Sequence, residues 1–296
     1  MFRTLAKFLR NPVARLEALE ELLELERARL RVALSMERAR LLEQARRETP
    51  LNPVLQGAKV YSQTDEDGII AEIFRRIGTG NRIFLELGCG NGLENNTANL
   101  LLCGFSGVWI DASEKNVRRI EAGLAPVDPR KLVVRHAFVT QENVEQVASE
   151  ALQTLAGAVP PSIDFLSVDI DGNDLAVFRA LTCSRSRVVC VEYNPKFPLP
   201  MKVALPEDPG HRWADDDYHG ASLAAWLDPM RERGYRLICC TLAGSNAFFV
   251  REDLAQPLGY YPPELLWQPA RFDLSQLTSG HLPSFGFLRD AVSLRR

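Results

Sequence analysis

The sequence predicts an open α/β sheet with parallel central strands, finished by an antiparallel hairpin and preceded by one long helix. Three observations lead there. From Tyr61 onward, short apolar runs alternate with amphipathic stretches, the pattern of parallel strands joined through helices. The last two apolar runs are separated only by Leu242-Ala243-Gly244-Ser245-Asn246, a link that suits a hairpin and is too short for a crossover. Leu16, Leu19, Leu23, Leu30, Leu34, Leu41 and Ala45 fall on one narrow stripe at 100° per residue, the mark of a helix over residues 14–48.

Each element follows in chain order. Residues 1–10 mix apolar and charged side chains, which reads as a short amphipathic segment and lacks the apolar stretch of a secretory signal. Leu19, Leu30 and Leu41 repeat every 11 residues, so the stripe of the long helix runs nearly straight. A lone helix of this length needs a partner over its stripe: the α/β domain, a shorter N-terminal helix or another subunit, of which an oligomer contact is the favoured one. Thr49-Pro50-Leu51-Asn52-Pro53 ends the helix, because proline disfavours helix at and before itself. This divides the chain into a helical, oligomerising region 1–53 and an α/β domain 54–296. Strands are predicted at 82–87, 108–111, 132–139, 163–170, 187–193, 236–241 and 247–250. Helices are predicted at 66–76, 95–103, 113–123, 143–155, 174–181 and 222–233. The chain after Asp253, rich in Pro and Leu, reads as irregular wrapping.

Composition excludes several classes. A chain of 296 residues that is 46% apolar buries a real core and is not a disordered polymer. With 35 Lys+Arg against 38 Asp+Glu there is no electrostatic case for a nucleic-acid partner. No apolar run approaches the roughly 18–20 residues of a membrane span. Cys89, Cys103, Cys183, Cys190, Cys239 and Cys240 form no C-x-x-C pair, and four of them lie in apolar stretches. Buried thiols in a reducing cytoplasm are the expectation.

The first strand of the domain runs into Glu86-Leu87-Gly88-Cys89-Gly90-Asn91-Gly92. Alternate glycines let the backbone turn sharply and let a ligand approach where a Cβ would clash. A nicotinamide fingerprint needs Gly or Ala at the position held by Leu93, so the dinucleotide reading is disfavoured. Asp111 ends the second strand, where a carboxylate can accept both hydroxyls of a ribose.

The same residues resemble motif I of class I S-adenosylmethionine-dependent methyltransferases, in which Glu86 would suit the positive methionine moiety. Tyr61-Ser62-Gln63-Thr64-Asp65-Glu66-Asp67, the glycine loop with Leu93-Glu94-Asn95-Asn96-Thr97, and Phe165-Leu166-Ser167-Val168-Asp169-Ile170-Asp171-Gly172 are similar to segments of the FkbM-like family. The resemblance covers about Tyr61 to Asp253. It implies a Rossmann-like class I methyltransferase sheet, with S-adenosyl-L-methionine as cofactor. It further implies methyl transfer to an oxygen of a sugar, polysaccharide or glycosylated small molecule. Gln63, Glu86, Gly88, Gly90, Asn96, Thr97, Asp111, Phe138 and Asp169 are then the cofactor-binding candidates.

Asp169-Ile170-Asp171 and Glu192-Tyr193-Asn194 end the fourth and fifth strands. Parallel strands open on one edge, and residues at i and i+2 share a side. Four oxygen-bearing side chains therefore converge there, and two readings stand. One is a hard-cation site for Mg2+ or another divalent ion on Asp169, Glu192 and Asn194. The other is a metal-free acid–base site. Asp171 is the first candidate for catalytic base and His219 the second. Asp174 reads as the N-cap of the next helix. Trp213 and Tyr218 suit either stacking on a sugar or core packing. The alternative to an enzyme is a non-catalytic scaffold subunit of the same fold that assembles through the N-terminal helix.

Overall fold

The computed structural model describes residues 12–208, 210–277 and 280–293; the amphipathic reading of residues 1–10 lies outside them. The long helix, α1 (Pro12–Glu48), ends at Thr49-Pro50 as the prolines require. A short 3-10 turn (Pro53–Gln56) leads into α2 (Glu66–Ile77). Then follow β1 (Ile83–Leu87), α3 (Ala98–Leu102), β2 (Ser106–Asp111), α4 (Glu114–Leu124), β3 (Leu132–His136), α5 (Val144–Ala156), β4 (Ser162–Val168), α6 (Asp174–Ala180) and β5 (Arg185–Glu192). Helix α7 (Leu223–Glu232) precedes β6 (Tyr235–Cys240) and β7 (Asn246–Arg251), and the tail adds the short helices α8 (Pro263–Leu266) and α9 (Phe285–Val292).

The strands form one seven-stranded sheet in the order β3-β2-β1-β4-β5-β7-β6. The pairs from β3 to β5 are parallel. The hairpin inserts β7 antiparallel between β5 and β6. This is a Rossmann-like sheet, parallel through its centre and finished by an antiparallel hairpin as the sequence predicts. Alternation along the strands builds a core on each face. Phe84, Trp109, Phe165 and Cys190 face the layer that holds α2, α3, α4 and α9. Leu85, Val108, Leu166 and Val189 face the layer that holds α5, α6 and α7. Strand order reverses between β1 and β4, and a crevice opens at the carboxyl ends of strands at such a switch point.

Three predicted ends fall short by two or three residues, each for a local reason. Helix α3 starts at Ala98 rather than Asn95 because Asn95, Asn96 and Thr97 wrap the Glu86 carboxylate. Strand β4 stops at Val168 because Asp169–Asp171 bends out, with Asp171 in the left-handed region at φ 55°. Strand β3 stops at His136, which leaves Phe138 in a loop. Helix α4 begins as expected, with the Ser113 side chain accepting from the Asn116 N–H. Cys89, Cys190, Cys239 and Cys240 are buried as free thiols, Cys183 is half-buried and Cys103 exposed. Among the described residues, no helix is long and apolar enough to cross a membrane.

Candidate active site

A cavity of about 640 Å³ lies at the switch point, lined by the glycine loop, the ends of β2, β4 and β5, and the segment before α7. Its size is that of a small-molecule or cofactor site. Each loop glycine has a separate reason to be there. A Cβ on Gly88 would fall 1.6 Å from the Asp169 carbonyl oxygen, so β1 and β4 approach closely only without it. Gly92 abuts Ile120 and Trp109. Gly90, at φ 55°, has nothing within 4 Å of where its Cβ would stand, so its bare backbone faces the open cavity. The loop is pinned to the end of β2: Gly88 and Cys89 donate to the Ile110 carbonyl at 2.9 and 3.2 Å, and Gly90 donates to Asp111 at 2.7 Å.

Asp111 stands beside that loop with both oxygens engaged, one by Gly90 and the other by the Ser113 N–H and the Asn116 amide. These bonds fix its orientation at the cavity wall. Glu86 also lines the cavity, but its carboxylate is held by Asn95, the Asn96 N–H and Thr97. Burial pushes Glu86 up to about 7, against the pull of those donors. Glu86 thus organises the loop as well as facing the cavity. Thr97 does not line the cavity. It is fully buried, donates its hydroxyl to Glu86 and accepts from the Trp109 indole. Its expected cofactor contact is corrected to a structural bond. Gln63, Asn96 and Phe138 all line the cavity.

Across the cavity, one oxygen from each of Asp169, Asp171 and Glu192 lies within 4.8 Å of the others. Burial first, and then the neighbouring Glu192, Asp174 and Asp171 charges, push Asp169 well above the ordinary carboxylate range. Burial followed by Asp174 and Asp171 does the same to Glu192. Asp171 is raised by lost hydration and drawn back by His219. His219 Nδ1 and Glu192 Oε2 are 3.7 Å apart, and both lack a hydrogen-bond partner.

Asn194 does not join the group. Its amide donates to the Asp217 and His219 carbonyls, and its oxygen accepts from the Lys196 N–H. The expected metal ligand is instead a brace for the His219 loop. Tyr193 separates it from Glu192 by turning into the opposite core, where its hydroxyl donates to the Gln268 carbonyl at 2.6 Å. Asp174 is the first residue of α6 and not its cap. It accepts from the Ile170 and Gly172 N–H groups and so closes the turn that presents Asp171.

The segment between β5 and α7 roofs the cavity with His211, Trp213 and His219. It is tied down by Asn173, whose side chain exchanges bonds with the Asp208 backbone. The Trp213 and His219 rings lie 5.4 Å apart. The Arg212 guanidinium sits 4.8 Å over the Phe138 ring and joins the roof to the opposite wall. His211 and Arg212 are absent from the candidates read in sequence. The tail residues Phe272 and Ser275, which line the cavity as His211 does, are absent too. All four arrive by long-range folding and carry no local motif.

No family model and no curated protein matches the chain. Similar solved structures include magnesium protoporphyrin IX methyltransferase from Synechocystis PCC 6803 with bound SAM, at 14% identity and a TM-score of 0.41, over 71% of this chain and 90% of that one. The methyltransferase domain of bacterial CtHen1-C is similar at 16% identity and a TM-score of 0.41, over 64% and 97%. The N-terminal domain of EvdMO1 with SAH bound is similar at 15% identity and a TM-score of 0.39, over 70% and 94%. Likeness this distant assigns no reaction.

Proposed function

We propose that this protein is an S-adenosylmethionine-dependent O-methyltransferase acting on a hydroxyl of a sugar, a polysaccharide or a glycosylated small molecule. The observation that carries this reading is the pairing, in one cavity, of a bare glycine cradle beside Asp111 with the Asp169–Asp171–Glu192 group opposite. The residues suit the cofactor: Gly90 leaves its backbone open, Asp111 is oriented for ribose hydroxyls, and Phe138 offers an apolar face for adenine. When bound, S-adenosylmethionine supplies an activated methyl carbon on a sulfonium leaving group.

The remaining work falls to the chain. Asp171 accepts the proton of the acceptor hydroxyl, which makes the oxygen a competent nucleophile. Glu192 and His219, which also line the cavity, hold a neighbouring hydroxyl of the acceptor. Trp213 provides a flat face for the ring of a sugar. Glu86, Glu94, Asp111, Asp169, Asp171 and Glu192 give the cavity a wall rich in hydrogen-bonding oxygens, which suits an acceptor with several hydroxyls.

Asp169, Asp171 and Glu192 are also the residues that would hold Mg2+ or another divalent cation, as an all-oxygen donor set. Turnover that survives exhaustive chelation assigns them to proton transfer alone. Calorimetric titration with S-adenosylhomocysteine tests the main reading. The expected affinity is on the order of micromolar, weakened by about 1–3 kcal/mol in Asp111→Ala. Full affinity in Asp111→Ala removes that residue from the ribose. No binding by the native chain favours the non-catalytic scaffold.

A further inference from the structure

Helix α1 covers only half of its leucine stripe. Leu34, Leu41 and Ala45 pack on the domain core, whereas Leu16, Leu19, Leu23 and Leu30 on the same face are 58%, 62%, 50% and 41% exposed. Long helices are stabilised mainly by burial of such a face. From Leu16 to Leu34, just after Arg15, charge is sorted by sign. From Leu16 to Glu26 the ionisable residues are Glu17, Glu20, Glu21, Glu24 and Glu26, and from Arg27 to Leu34 they are Arg27, Arg29 and Arg31. Among the described residues, pairing within one chain is confined to the border between the blocks: Arg27 to Glu24 at 2.7 Å and Arg29 to Glu26 at 2.6 Å. Two copies side by side in parallel would set acid on acid and base on base. Reversing one of them sets acid on base.

We propose that residues 16–31 of two copies of this chain pair antiparallel, crossing at Leu23, to make a homodimer. In that register Leu23 meets its own counterpart and Leu16 meets Leu30 of the second copy, two helical turns to either side. At 100° per residue, Glu17, Glu20, Arg27 and Arg31 share one edge of the stripe. The twofold brings like edges together, so Glu20 faces Arg27 and Glu17 faces Arg31 of the second copy, and the two chains repeat this reciprocally. The crossing uses only the part of α1 clear of the domain, so the second copy meets no obstacle at Leu34. The block of glutamates argues against an anionic lipid surface as the cover for the leucines. The pairing does not depend on which reaction the cavity supports.

Sedimentation equilibrium of the full chain reads the dimer directly. The native protein is expected to dimerise at micromolar concentrations, and Leu23→Glu, an exposed position that leaves the core alone, to be monomeric with an unchanged circular-dichroism spectrum. Direction is read by disulfide cross-linking in a Cys103→Ser background. Leu23→Cys cross-links to itself. Leu16→Cys and Leu30→Cys cross-link when mixed, and neither does so alone. A native chain that stays monomeric overturns the proposal, as does Leu16→Cys cross-linking to itself, the mark of a parallel pair. So does monomeric chain captured through these leucines by vesicles of phosphatidylcholine and phosphatidylglycerol.

Discussion

Asp164 lies inside β4 and Asp169 directly follows its carboxyl end, the first fully buried and the second half-buried, and the fold treats the two in opposite ways. At the amino end, Asp164 is fully buried and accepts from the N–H groups of Gly80 and Arg82, with the Arg187 guanidinium 3.1 Å away. Arg82, beside it, is held in the left-handed region at φ 57°, so the strain at this pole is locked by Asp164. At the carboxyl end, among the described residues, no donor reaches the Asp169 carboxylate, which instead crowds against Asp171 and Glu192. Asp171 is strained in the same sense, at φ 55°, and points its carboxylate at open cavity. A buried carboxylate costs free energy unless it is paired. The amino-end pole settles that cost within the chain. The carboxyl-end pole leaves it for a ligand to settle, which is the physical sense of calling one pole structural and the other functional.

The contrast can be broken by exchanging roles. Asp171→Asn should lower turnover by about 10²–10⁴-fold with any hydroxyl acceptor that supports the reaction, while leaving S-adenosylhomocysteine affinity unchanged; retained turnover clears Asp171 of the base role. Asp164→Ala should leave the cavity chemistry alone and destabilise the fold by about 3–5 kcal/mol in urea denaturation. A cost no larger than that of Asp171→Asn in the same assay would erase the distinction between the poles.

Smaller effects sharpen the comparison through pH. Glu72, bonded by Arg75 and Arg76, is pushed down to about 2. Its contribution is present above the ordinary carboxylate range and is lost as pH falls toward 2. Glu72→Gln should therefore cost about 1 kcal/mol at pH 7 and nothing in strong acid. Glu192 is displaced upward by burial and its acidic neighbours. Its folded state prefers the proton, so stability is lost as pH rises through the raised value. Glu192→Gln should raise the melting temperature of the ligand-free protein by about 2–4 °C at pH 8 and leave it unmoved at pH 4. The same sign of pH dependence at both residues, in scanning calorimetry, would refute the contrast.

Much of this site is legible in the chain because backbone geometry demands particular residues. Gly88 is required by the approach of Asp169, and Asp111 by the register that ends β2 beside Gly90. Asp169 and Asp171 reach one mouth as the spacing predicts, although the strand ends at Val168 and it is the turn closed by Asp174 that presents Asp171. What sequence does not show is which polar side chain the packing turns inward. Thr97 and Asn194 are the right residue types in the right segments, yet Trp109 claims one and the His219 loop claims the other. His211 lines the cavity and Arg212 covers the Phe138 ring from a segment that Asn173 ties down from across the site, a long-range contact with no local pattern. The uncovered leucines of α1 are legible for the opposite reason: a stripe longer than its own domain is visible in spacing alone.

The most direct measurement is a crystal structure with S-adenosylhomocysteine bound. The account requires ribose hydroxyls on Asp111, the homocysteine chain along the glycine loop, and the sulfur opening toward the Asp169–Asp171–Glu192 group. A ligand seated elsewhere, or a sulfur turned away from those carboxylates toward a wall with no group able to take a proton, would contradict it.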